Sequence, residues 1–117
     1  MSLKAGWIYH VKYFDKVKPE HGKYAVCVCA AKNYFFLINT ENRTIYDCIP
    51  IKAVQHPKLG QDRYVSCKII TTAGNAEIEP KYQISDIFLK ELITKISDSK
   101  FLSQTDKNLM LLELSVS

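Results

Sequence analysis

Lys23-Tyr24-Ala25-Val26-Cys27-Val28-Cys29-Ala30-Ala31 is the stretch on which the reading of the fold turns. After the lysine it is apolar without a break. A short run of this kind, with no polar alternation, predicts a central strand buried on both faces. Its neighbours supply the rest of a sheet. Residues 7–14, Trp7-Ile8-Tyr9-His10-Val11-Lys12-Tyr13-Phe14, are aromatic and β-branched and predict a strand. Residues 15–22 between them form a charged loop, with Pro19 and Gly22 as breakers.

Downstream, Lys32-Asn33 predicts a turn, residues 34–38 a strong strand, and Asn39-Thr40-Glu41-Asn42 a second turn. Residues 43–51 are a weaker strand that Pro50 confines to an edge or an end. His56-Pro57 belongs to a structural turn. Residues 63–72 return to β character. Ala73-Gly74-Asn75 predicts a turn, and residues 76–79 a short edge strand. The period then changes. Phe88, Leu89, Leu92, Ile93 and Ile96 fall on one helical stripe behind a Ser85 or Asp86 cap. Ser103-Gln104-Thr105-Asp106 resembles a capping box that opens a second helix, with Leu109, Met110 and Leu112 on its apolar side. Strands followed by helices, joined by connections too short for parallel crossovers, predict one α+β domain over residues 1–117. Its antiparallel sheet spans 6–80, and its two C-terminal helices span 85–114.

Composition narrows the classes. Hydrophobic content is 47% and charged content 24%, as in an ordinary globular protein. No segment reaches the roughly 20 apolar residues that cross a bilayer, and no signal peptide is visible. No membrane association is expected, and a cytoplasmic location is the default. The net charge of +4 is uneven. Residues 1–76 carry eleven Lys or Arg against five Asp or Glu, and residues 77–117 carry five against seven. A basic front half attracts polyanions, although a solvated mixed surface accounts for so modest an excess equally well. Cys27, Cys29, Cys48 and Cys67 lie in or beside apolar runs, where a reduced cysteine packs as a small hydrophobe. The Cys27-x-Cys29 spacing is not that of a zinc site, and on a regular strand both side chains share one face. Neither a metal nor a cofactor is expected.

The order of these segments resembles the MazF/PemK-like toxins. Gly6-Trp7 and the aromatic strand, the charged loop, and Gly22-Lys23 before the hydrophobic strand are similar to the start of that family. Leu59-Gly60-Gln61-Asp62-Arg63-Tyr64-Val65 resembles its Leu-x-x-Asp-Ser-Tyr-Val segment. The resemblance covers most of residues 6–97 and implies an SH3-like barrel with added helices. It also implies a metal-independent endoribonuclease acting on single-stranded RNA, working as a homodimer and restrained by a cognate antitoxin. The family's Arg before the second strand is Lys23 here, and the Pro after it is Tyr24. Lysine keeps the charge and loses the bidentate fork. The family's Ser or Thr at the end of the third strand falls at Asn39-Thr40.

Lys23, His21 and Thr40 are therefore the candidate catalytic residues: a phosphate-binding cation, a general base and a positioning hydroxyl. Lys12, Lys16, Lys18 and Tyr24 are the candidate RNA-binding residues, with the lysines on phosphates and the aromatic ring against a base. Strand alternation buries about half of the aromatic residues in any case, so cross-strand packing takes most of them. A non-catalytic binding module on the same barrel is the alternative function.

Overall fold

A computed structural model describes residues 2–15, 22–42 and 46–116. It is an α+β fold with six antiparallel strands and two C-terminal helices. The strands are β1 (Trp7–Phe14), β2 (Lys23–Cys29), β3 (Tyr34–Asn39), β4 (Cys48–Ile51), β5 (Arg63–Ser66) and β6 (Ile70–Gln83). The helices are α1 (Asp86–Asp98) and α2 (Gln104–Leu114). The sheet order is β2-β1-β6-β3-β5-β4, and β2 also pairs with β3. That extra pairing closes β1, β2, β3 and β6 into a ring of hydrogen-bonded strands, with β5 and β4 attached beyond β3.

β2 is buried on both faces as its composition requires. Val26 and Val28 enter a cluster that the two helices also enter, through Phe88, Leu92, Ile96, Met110 and Leu114. Ala25 and Cys27 enter a second cluster with Tyr9, Val11, Phe14 and Phe35. Cys29 departs from the expected alternation. It joins the first cluster, opposite to Cys27, because the β2–β3 register shifts between the two cysteines. Cys27 pairs with Phe35 while Cys29 pairs with Tyr34, so a bulge turns the chain over. All four cysteines are free thiols. Burial, helped by the nearby Glu113 charge, pushes the Cys27 thiol up to about 12. Burial does the same to Cys67, with Asp47 and Cys48 adding to it. Both are inert as nucleophiles at neutral pH.

The expected turn at Ala73-Gly74-Asn75 does not reverse the chain. Residues 70–83 form one long strand whose start pairs with β3 and whose end pairs with β1. The extra length lies in β6 itself, where residues 73–76 stand opposite the single Tyr13 of β1, which has φ 70°. The Gly-Asn preference is expressed as this local irregularity, while pairing on either side of it keeps the strand running on.

The helix starts follow the sequence closely. Ser85 Oγ accepts from the Phe88 N–H at 3.1 Å, and Ser103 Oγ accepts from the Asp106 N–H at 3.1 Å. His56 is more than a turn residue. The residue is 1% exposed, and its Nε2 accepts the Ser85 N–H at 3.0 Å. The proton therefore sits on Nδ1, facing the Lys52 carbonyl at 3.3 Å. The imidazole thus orients the N-terminus of α1, and its edge meets the Phe88 ring, with centroids 5.8 Å apart. At the other end, the Glu113 carboxylate of α2 clasps the turn after β2. It accepts from the Ala30 N–H at 2.7 Å, the Ala31 N–H at 3.2 Å and the Cys29 thiol at 3.0 Å. Partial burial raises this carboxyl, and the hydrogen bonds outweigh it, so its pKa lies below the ordinary value. Among the described residues, no helix is long and apolar enough to cross a membrane.

Candidate anion-binding site

Lys23 opens β2, and Asn39 closes β3, the strand paired with it. The register carries Ala25 opposite Leu37, so the next positions outward bring Lys23 to Asn39. Lys23 Nζ donates to Asn39 Oδ1 at 3.4 Å, a long and weak bond. The Asn39 amide is fixed from its other end, where Nδ2 donates to Ser66 Oγ at 3.1 Å. On the far side of β3, Asn39 faces Tyr64 of β5, which places Arg63 at the same end of the sheet. Lys23, Asn39, Thr40, Glu41 and Arg63 line one open polar cavity of about 310 Å³.

Among the described residues, two cations and one carboxylate border this cavity. Arg63 Nε donates to the Leu59 carbonyl at 3.1 Å, which anchors the guanidinium to the 3₁₀ turn Pro57–Leu59. Asp62 beside it is engaged elsewhere, accepting from the Ala53 N–H at 2.8 Å and pairing with Lys52 at 3.6 Å. Among the described residues, neither Lys23 nor Arg63 makes a salt bridge. Glu41 is exposed and also unbridged among them. The balance of the described lining residues is one net positive charge, which favours an anion.

The structure brings together Lys23 and Thr40 of the expected catalytic set. His21, Lys16 and Lys18 lie outside the described residues. Lys12 is exposed on β1 opposite Glu77 and does not line the cavity. Tyr24 is half-buried and packs against the helix-side core, with its ring edge-on to His10 at 5.3 Å between centroids. His10 explains Gly22. A Cβ there would lie 2.2 Å from His10 Cε1, so the residue before Lys23 must be glycine unless the imidazole moves. Tyr9 and Phe35 are core residues, while Tyr34 donates to Asp106 Oδ1 at 3.1 Å and ties β3 to α2. Among the described residues, no group of three or more His, Cys, Asp or Glu is placed to hold a metal.

No family model, curated protein or solved structure matches the chain.

Arg63 and Glu41 are the charged cavity residues that the sequence did not single out. Arg63 reads locally as one more strand residue, and only the β3–β5 pairing brings it to Lys23. One further feature borders Arg63. The Tyr82 hydroxyl is buried without a hydrogen-bond partner among the described residues. Burial and the neighbouring Tyr24 push it up to about 12, while the Arg63 charge acts in the opposite sense.

Proposed function

We propose that this chain is an RNA-directed protein of the MazF/PemK-like type, built on an SH3-like barrel. The observation that carries the reading is the convergence of Lys23 and Thr40, which are distant in sequence, on one polar cavity. These are the two positions that the family resemblance assigns to chemistry. The ring closure of β1, β2, β3 and β6 also suits a small barrel.

In this reading a backbone phosphate of single-stranded RNA sits against Lys23, and the Thr40 hydroxyl positions the ribose. Cleavage requires the 2′-oxygen to attack the adjacent phosphorus while the bond to the 5′-oxygen breaks. The 2′-hydroxyl proton must be taken up and a proton given to the leaving oxygen. Glu41 is the cavity residue chemically suited to take up the 2′-hydroxyl proton, solvent water gives a proton to the leaving 5′-oxygen, and Lys23 offsets the charge that develops on phosphorus oxygens. A homodimer and a cognate antitoxin accompany this reading as its partners. The second reading is a binding module without cleavage, favoured by lysine standing where a fork-shaped arginine is expected.

Titration of labelled mixed-sequence RNA with the purified chain, in the presence of a chelator, separates these outcomes. Binding is expected at low salt and weakens as salt rises, because neutralised phosphates release counterions. Lys23→Ala is expected to cost roughly tenfold in affinity and to lower the salt slope by about 0.7. Cleavage is expected to fall further, by about a hundredfold, since a charge contact gains strength in the transition state. Binding without cleavage selects the module. Absence of binding at low salt removes the RNA reading altogether.

A further inference from the structure

We infer that Arg63 supplies the guanidinium fork of a two-cation phosphate cradle, gripping one phosphate group together with Lys23. This inference rests on the RNA reading only for the source of that phosphate. The chemistry is set by the cavity itself. Lysine offers a point charge with no fixed direction, whereas arginine presents parallel donors that match two oxygens of one phosphate. Lys23 alone therefore attracts a phosphate without orienting it, and the fork has to come from elsewhere.

Arg63 meets each requirement for that role. It lines the same cavity as Lys23 and Thr40. Its Nε is already committed to the Leu59 carbonyl, so among the described residues its two terminal nitrogens are the donors left for a ligand. The anchor is firm. Leu59 is 2% exposed, and its turn is closed by the Gly60 N–H on the Pro57 carbonyl at 3.0 Å, with Gly60 at φ 77°. A long side chain held at its root loses less freedom when it binds. Among the described residues its charge is not taken up by an ion pair, and the adjacent carboxylate, Asp62, is held by Lys52 and the Ala53 N–H. Opposite it, Asn39, itself bonded to Ser66, makes a long contact to the Lys23 ammonium at 3.4 Å, which keeps the second cation near the cavity and leaves orientation to Arg63. Among the described lining residues, Glu41 leaves the pair one positive charge in excess. A singly charged phosphodiester balances that excess.

The test uses the intact chain with two probes, labelled mixed-sequence single-stranded RNA and inorganic phosphate. Arg63→Lys keeps the charge and removes the fork. It is expected to weaken RNA binding roughly tenfold with the salt slope unchanged. Arg63→Ala is expected to weaken it further and to lower the slope by about 0.7. Inorganic phosphate is expected to shift the Arg63 Nε–H NMR signal of the unmutated chain saturably, a readout that needs no variant to fold. If the chain binds RNA and Arg63→Lys binds it equally well, the cradle is overturned while the RNA reading stands. If the chain binds no RNA but phosphate still moves Arg63 saturably, the cradle stands for free phosphate and the RNA reading fails. If neither probe engages Arg63, the inference is wrong.

Discussion

Replacing Phe88 with alanine is expected to destabilise the fold by about 3–5 kcal/mol, the usual cost of emptying a buried aromatic site. Phe88 is 2% exposed and sits in the first turn of α1, on the stripe continued by Leu92 and Ile96. That stripe joins the strand residues Val26, Val28, Phe36 and Val65 in one cluster, so the ring has no neighbour that collapses easily into the space. A domain of this size is stable by only about 5–15 kcal/mol, so the loss is a large share of the whole. Ile87, its chain neighbour, is 57% exposed. Ile87→Ala is expected to change stability by less than about 0.5 kcal/mol. Urea denaturation of the two variants measures the contrast directly. Equal effects would mean that α1 presents a different face to the sheet.

Removal of His56 is expected to cost about 2–4 kcal/mol, because two losses combine. His56→Ala leaves a void beside Phe88 and Tyr82, and it leaves the Ser85 N–H without its acceptor. His56→Gln offers an acceptor on a different frame and is expected to recover part of the loss. The same residue gives stability a dependence on pH. Burial lowers its pKa below the ordinary 6.5, and the hydrogen bond to the Lys52 carbonyl only partly opposes this. The unfolded chain therefore takes up the proton first. The contribution of neutral His56 is complete above about pH 6.5 and declines as pH falls below it, towards the folded-state value. Denaturation midpoints measured across this window, above the ordinary carboxylate range, are expected to fall in the native chain and to stay flatter in His56→Gln. A native profile as flat as that of the variant would show that the imidazole is not held neutral.

Most of the fold could be read from local pattern. The unbroken apolar run of β2, the aromatic β1 and the serine caps at Ser85 and Ser103 each carry their own signal, and each appears where expected. What escaped depends on pairing between distant segments. The bulge that sends Cys29 away from Cys27 is a property of the β2–β3 register, and no spacing within β2 announces it. Gly74-Asn75 has turn chemistry yet lies inside β6, because both ends of that strand are claimed by neighbours. The site divides in the same way. Lys23 and Thr40 stand at the end of one strand and just past the end of another, where function gathers on loops and rims. Arg63 stands in a β strand, and only the Asn39–Tyr64 pairing reveals that it belongs with them.

An amide-resolved NMR titration of the intact chain with short mixed-sequence single-stranded RNA at low salt tests the Lys23–Arg63 cavity most directly. Shifts centred on Lys23, Asn39, Thr40, Glu41 and Arg63, fading as salt is added, are predicted. Shifts confined to α1 and α2, or no shift at any RNA concentration, would contradict it.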